Sequence, residues 1–452
     1  MSAKIRIKKR LTSSQIIILG YAATILIGGL LLMLPFSTKS GESMPFLDAL
    51  FTSTSAVCVT GLVVRDTATF FSGFGHAVIL LLIQIGGVGV MTLAVTFVVA
   101  TGRKLRLSGQ TSMLESVSAE SGKDAWRCAK FILSVAFITE GAGTVALLPV
   151  FCGRFGAWKG IWYSFFHAVS AYCNAGFDLM GAETGQFSSM TSFVGSPMLN
   201  ITFCLLILCG GLGFSVWEDV ARNKWHIKRY GIQSKTVLAF TAALVLVPSL
   251  YFYFAEFSSE AWKETLTGGE RVWASLFQSI TPRTAGFNTV DYSEMSEAGL
   301  AVTILLMLTG GSSGSTAGGM KITTLAVLLL SAVSVFRKRK EVRCFGRRIE
   351  DETVKSAAAI AFLYVLLFFL SGVVISATEG LPVIDCLFES ASAIATVGLT
   401  TGITASLGVF SHIILMLLMY FGRVGGLTLL TAMLFGRRTE DGRLPVGIIA
   451  VG

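Results

Sequence analysis

The sequence predicts an all-α integral membrane protein built from four tandem units, each a spanning helix, a short re-entrant helix and a second spanning helix. Three observations predict it. The chain is 53% hydrophobic and only 14% charged over 452 residues. Its apolar residues fall into runs of membrane-spanning length. A glycine-bearing segment recurs four times at a near-constant interval.

The apolar runs come first. A ~30 Å hydrocarbon core needs ~20 apolar residues per helical crossing. Candidate spans are 15–35, 77–100, 131–151, 199–216, 237–254, 300–310, 356–378 and 410–435. The run at 300–310 is short and resumes after a Gly/Ser interruption. The first run is long, has no small-residue cleavage site after it and is followed by further spans, so it is expected to be a retained helix rather than a signal peptide.

Charge then gives orientation. The net charge is +9. Residues 4–10 hold five Lys/Arg, 103–130 six, 222–235 five, 337–355 eight and 437–443 three, together 27 of the 36. The alternate connections, 37–45 and 182–197, are nearly free of them. Basic connections stay in the cytoplasm, so both termini are expected there, with an even number of crossings. This placement favours a membrane surface over nucleic acid as the partner of the basic residues. The eight cysteines show no paired or Cys/His ligand spacing and are expected as small buried hydrophobes, neither bridged nor metal-bound.

The repeat is the most informative feature. Asp48-Ala-Leu-Phe51 leads to Cys58-Val-Thr-Gly61-Leu, and Tyr163-Ser-Phe-Phe166 to Cys173-Asn-Ala-Gly176-Phe. Ala274-Ser-Leu-Phe277 leads to Arg283-Thr-Ala-Gly286-Phe, and Asp385-Cys-Leu-Phe388 to Ala395-Thr-Val-Gly398-Leu. The glycines stand 115, 110 and 112 residues apart, and the Phe-to-Gly spacing is 10, 10, 9 and 10. Each is followed by a second cluster: Gly86-Gly-Val-Gly89, Gly210-Gly-Leu-Gly213, Gly310-Gly-Ser-Ser313 and Gly422-Arg-Val-Gly425. The interval between clusters is 25, 24 and 24 residues in three units and 34 in the second, which carries an insertion near 183–192. The expected units are 1–115, 116–230, 231–340 and 341–452, with loops at 46–62, 160–177, 270–287 and 383–399. The expected total is eight transmembrane helices plus four re-entrant pore helices around one pseudo-fourfold pore.

Irregular backbone at membrane depth survives only where protein buries it or it lines a cavity. Rings of backbone carbonyls can replace the water shell of a hard monovalent cation, and glycine allows the dihedrals that turn carbonyls to one side. The candidate filter residues are Val59, Thr60 and Gly61; Asn174, Ala175 and Gly176; Thr284, Ala285 and Gly286; and Thr396, Val397 and Gly398. In this arrangement the carbonyl ends of the short helices would favour a cation.

The third unit is interrupted by Gly310, Gly311, Ser312, Ser313, Gly314, Ser315 and Thr316, running on to Gly319. Such glycine density disfavours a helix by up to ~1 kcal/mol per residue relative to Ala, so a loop within the membrane, acting as a gate at 310–319, is expected. Arg423 lies in an apolar span and should face an interior cavity or a partner. Arg283, next to a loop glycine, is expected to turn behind the loop and tether carbonyls or a carboxylate such as Asp291 or Glu389. The C-terminal stretch 445–452 is apolar, too short to span, and could pack at a dimer seam.

These loops, the Gly/Ser break and the Gly422-Arg423 step resemble the Trk/Ktr/HKT superfamily of potassium and sodium transporters, over essentially the whole chain. With no extra pair of spans ahead of the first helix, the chain looks most like the Ktr-type membrane subunit. The resemblance implies potassium uptake through one pore, a homodimer in the cell membrane, and a cytoplasmic nucleotide-binding (RCK-type) regulatory ring. It implies K⁺ in the pore, with Na⁺ as activator or coupled ion, no cofactor in this chain, and nucleotide only through the partner. It also implies Arg423 as a positive barrier beside the gate. Glycine in all four loops looks like the potassium-conducting type; serine in the first would point to sodium. The loops depart from Thr-Val-Gly-Tyr-Gly in keeping one glycine each. The same fold could instead serve a Na⁺-selective or H⁺-coupled transporter. A secondary transporter of organic solutes usually shows two inverted repeats rather than four. Enzyme motifs such as HExxH, GxSxG, a P-loop or GxGxxG are absent, and the four histidines are dispersed.

Overall fold

The computed structural model describes residues 13–89, 92, 125–426 and 428. The expected basic segments at 4–10 and 437–443, most of the basic loop at 101–130, and the apolar tail at 445–452 lie outside the described residues. Among the described residues, fourteen helices of ten residues or more carry the fold, four of which are short helices leading into the repeated loops. They are α1 (Ser13–Leu32), α2 (Phe46–Val57), α3 (Gly73–Val88), α4 (Ala125–Phe155), α5 (Ala157–Tyr172), α6 (Pro197–Gly211) and α7 (Phe214–Asn223). They continue with α8 (Ile232–Tyr251), α9 (Gly268–Ile280), α10 (Glu297–Met307), α11 (Ile322–Phe336), α12 (Asp351–Glu379), α13 (Val383–Ala395) and α14 (Val409–Val424). A two-stranded hairpin, β1 (Arg343–Cys344) with β2 (Arg347–Arg348), joins α11 to α12.

Among the described residues, four helices are long and apolar enough to cross a membrane, or five if the bent pair α6/α7 counts as one span. Eight were expected. The expected spans 77–100 and 410–435 run on beyond the described residues; within those residues the second helix of each unit ends at or just before its glycine cluster. α3 and α14 are 16 residues and α10 and α11 are 11 and 15. A 16-residue helix is only about 24 Å long. The expected span 199–216 is likewise not one rod, because α6 and α7 meet at a 97° bend. Gly213 makes that bend at φ 87°, ψ 149°, a region only glycine occupies without strain. Gly89 and Gly425 stop α3 and α14 with nearly the same geometry, at φ 95° and 91°.

The long helices turn apolar faces outward. Leu26, Ile27 and Leu30 on α1, Phe137 and Ile138 on α4, Leu246, Val247 and Leu250 on α8 and Phe362 and Phe369 on α12 are all exposed. In water this would be untenable; in hydrocarbon it is the expected exterior. The short helices invert the pattern. Polar residues Thr52, Ser53, Thr54 and Ser55 of α2, Ser164 and Ser170 of α5, Ser275 and Ser279 of α9 and Ser390 and Ser392 of α13 are all buried.

Packing runs in a circuit. Each short helix lies against the first helix of its own unit: α2 on α1, α5 on α4, α9 on α8 and α13 on α12. The helix after each loop then reaches the short helix of the next unit: α3 on α5, α6 on α9, α10 on α13, and α14 back on α2.

Candidate functional site

The four short helices end in four loops with one backbone pattern. In each loop a non-glycine residue takes a positive φ, and the glycine two positions on takes another. The pairs are Val59 (52°) with Gly61 (95°), Asn174 (58°) with Gly176 (71°), Thr284 (70°) with Gly286 (77°) and Thr396 (54°) with Gly398 (92°). Such alternation turns successive carbonyls towards one side of the strand.

The loops' N–H groups are tied back to their helices. Thr60 N donates to Ser55 O at 2.8 Å, Ala175 N to Ser170 O at 2.8 Å, Ala285 N to Thr281 O at 2.9 Å and Val397 N to Ser392 O at 2.8 Å. Buried hydroxyls finish the work: Gly61 N donates to Ser55 Oγ at 3.0 Å and Gly398 N to Ser392 Oγ at 2.9 Å. In the other two loops the hydroxyl donates instead, Ser170 Oγ to Phe177 O at 2.8 Å and Thr281 Oγ1 to Phe287 O. Among the described residues no protein group donates to the carbonyls of the twelve candidate filter residues. Buried carbonyls normally find a donor. Four loops holding theirs free is the arrangement that suits a cation.

The loops also meet one another. A Cβ placed on Gly61 would lie 2.6 Å from Ala175 O, and one on Gly176 would lie 2.9 Å from Gly286 Cα. One on Gly286 would lie 2.4 Å from Val397 O, and one on Gly398 only 2.0 Å from Thr60 O. The four glycines therefore form a closed ring in chain order, with no room for a side chain.

The second glycine clusters seat the inner helices beneath this ring. A Cβ on Gly86 would be 2.2 Å from Val57 O, on Gly210 2.0 Å from Tyr172 O and on Gly422 2.1 Å from Ile394 O. In three units the cluster thus presses on the carbonyl end of its short helix. The third differs because its chain leaves the helix there.

That chain, from Thr309 to Lys321, crosses under the ring. Ser312 N donates to Gly211 O at 2.9 Å, Thr316 N to Gly210 O at 3.2 Å and Gly319 N to Gly422 O at 3.1 Å. Thr316 Oγ1 donates to Tyr172 O at 3.1 Å. Gly314 O accepts from Phe214 N at 2.9 Å, at the start of α7. Gly310 N bonds Met320 O at 2.8 Å and Ile322 N bonds Gly311 O at 3.0 Å, which closes the loop on itself. Ser315 Oγ donates to Ser312 O at 2.6 Å. Arg423 is the cross-link: Nη1 donates to Thr316 O, and Nη2 to Gly86 O and, at 3.4 Å, to Gly87 O. Lys321 Nζ donates to Ala317 O at 2.8 Å. A cavity of about 300 Å³ adjoins the loop, lined among others by Gly87, Ser313, Gly314, Lys321, Tyr364 and Arg423.

Arg283 does turn away from the ring, but not to a carboxylate. Its Nη2 donates to Thr241 Oγ1 of α8 at 3.1 Å, while Nε and Nη1 meet no acceptor among the described residues. Asp291 instead caps the turn at Tyr292–Glu294, and Glu389 accepts from Thr400, Thr401 and Thr404. Both carboxylates satisfy nearer donors, which sequence spacing did not reveal. The buried His167 bonds Tyr163 O and Leu179 N and stacks on Phe151, as a packed residue. All eight cysteines are unbridged.

The fold and the loops together define a helical membrane protein of the cation-transport class. Residues 8–436 match the family model TrkH, "Cation transport protein", and the chain belongs to that family. It is 40% identical over 436 residues to the potassium/sodium uptake protein NtpJ of Enterococcus hirae, covering 95% of each chain. It is 36% identical over 449 residues to the Ktr system potassium uptake protein B of Bacillus subtilis, covering 98% of this chain and 97% of that one. The likeness expected to the Ktr-type membrane subunit, and to a transporter rather than an enzyme, stands on these relatives. The potassium transporter TrkH from Vibrio parahaemolyticus shares the fold, with a TM-score of 0.73 at 20% identity over 96% of this chain and 87% of that one.

Proposed function

We propose that this chain takes up potassium across the cell membrane through one central pore. Its filter is the ring of carbonyls presented by the loops at Gly61, Gly176, Gly286 and Gly398. The single observation that carries this reading is the closed contact of those four glycines with free carbonyls around them. In the same reading the four units stand in pseudo-fourfold order around the pore, both termini are cytoplasmic, and the segment 310–319 with Arg423 is the gate. The hydrogen bonds joining that segment to α6, to Gly422 and, through Arg423, to Gly86 support the gate role. Potassium as the ion rests on relatives named for potassium uptake. One of them is named for sodium as well, which favours Na⁺ as activator or second ion. A homodimer and a cytoplasmic nucleotide-binding ring rest on the resemblance to the Ktr type.

The test is ⁸⁶Rb⁺ uptake into K⁺-loaded proteoliposomes, alone and with a nucleotide-binding partner subunit. The reading expects uptake that external K⁺ competes away more strongly than Na⁺. Equal competition by the two ions in either preparation, or no uptake in both, contradicts it.

A further inference from the structure

Beyond the ring, each loop carries one residue at the same place: Val63, Asp178, Asn288 and Thr400, two positions after the respective glycine. All four are partly exposed, while the residue before each is buried. The exposure recurs in register in four loops of different sequence, so it belongs to the architecture: these positions border the mouth of the ring on the side away from the Gly/Ser segment. Their chemistry is unequal. Val63 is apolar. Thr400 Oγ1 is already engaged, donating to Glu389 and accepting from Gly402 N at 2.9 Å. Asn288 Nδ2 donates to Val290 O at 2.9 Å. Asp178 alone is a carboxylate. One of its oxygens accepts from Met180 N at 2.9 Å, and among the described residues it forms no ion pair.

Three other acidic side chains of the first two units are committed. Asp66 accepts from Thr69 N at 2.7 Å and Phe187 N at 2.9 Å. Asp48 pairs with Arg65 at 2.9 Å and Glu183 with Lys159 at 3.2 Å. An unpaired carboxylate beside a low-dielectric channel mouth concentrates cations there.

We infer that Asp178 is the outer capture residue for the transported cation, setting apparent affinity by its charge rather than by coordination. The inference rests on the pore reading above. The test is run at pH 8.

⁸⁶Rb⁺ uptake is measured at low and high ionic strength, set with an impermeant salt, for wild type, Asp178→Asn and Asn288→Asp. Asparagine keeps an oxygen for Met180 N, so the turn survives. The expected result for Asp178→Asn is a KM raised several-fold at low ionic strength, converging on wild type at high ionic strength as screening takes over, with kcat unchanged. Asn288→Asp should lower KM at low ionic strength. A KM for Asp178→Asn that equals wild type at low ionic strength overturns the inference. So does a rise that salt leaves untouched, or a lost kcat at constant KM. Absence of uptake by wild type would instead strike the pore reading itself.

Discussion

Val59, Thr284 and Thr396 are β-branched residues with φ between 52° and 70°, a conformation that costs on the order of 1–3 kcal/mol at such side chains. The strain persists because both flanks are fixed: N–H groups bonded to the short helix on one side, a crowded glycine on the other. Each glycine was visible in the sequence from its interval alone. The strained residue ahead of it was not, because Val, Asn, Thr and Thr share no turn signal and only Asn readily takes positive φ. Gly398 is the tightest point of the ring. Gly398→Ala would set a methyl 2.0 Å from Thr60 O at φ 92°, so the loop must move. The expected outcome is at least a tenfold loss of ⁸⁶Rb⁺ uptake at equal protein in the membrane. Unchanged uptake and unchanged K⁺ over Na⁺ preference would show that the ring is not where ions are selected.

At the scale of elements, composition revealed the break in the third unit, since no helix tolerates that run of Gly and Ser. It did not reveal what the break touches. Residues 100 or more positions away supply several of its hydrogen bonds, among them Gly210, Gly211, Tyr172 and Gly422. The second glycine clusters were legible as a period but not as seats for the carbonyl ends of the short helices, because a contact between backbones leaves no side-chain signature. The bend at Gly213 was missed for a related reason: an apolar run continues through it to Val216. Its signal was the change from an apolar run to the alternating Trp217-Glu-Asp-Val-Ala-Arg222 just beyond. If 310–319 is the gate, removing Gly311 to Thr316 should raise flux in the absence of any partner subunit. Flux at or below wild type, in protein that expresses well, counts against the gate. Gly213→Ala should act more mildly. Its methyl would sit 2.8 Å from Ser313 O, and the backbone strain of roughly 1–3 kcal/mol should lower the melting temperature in detergent while raising basal flux.

For the molecule as a whole, the insertion in the second unit gains a purpose only in three dimensions. Phe187 N donates to Asp66 Oδ2 in the first unit, and Met190 N donates to Asn288 O in the third at 3.0 Å. The insertion is thus a strap between two units that are not otherwise consecutive, on the side where the short helices begin. Sequence showed its length, 34 residues against 24 or 25, but not its partners. Asp66 also caps the short helix at Thr67–Phe70. Asp66→Ala leaves three donors without their acceptor, each typically worth ~1–3 kcal/mol when buried. Calorimetry in detergent should therefore record a melting temperature several degrees below wild type, with K⁺ over Na⁺ preference retained. An unchanged melting temperature would mean that the strap contributes little.

The central claim is that four loops from one chain enclose a single cation site. It is tested most directly by determining the structure with Rb⁺ in place of K⁺ and locating the ion by its anomalous signal. The account predicts a peak enclosed by the loops at Gly61, Gly176, Gly286 and Gly398, within coordination distance of carbonyls from all four. A Rb⁺ peak elsewhere in the protein, with none inside the ring of an uptake-competent preparation, would contradict it.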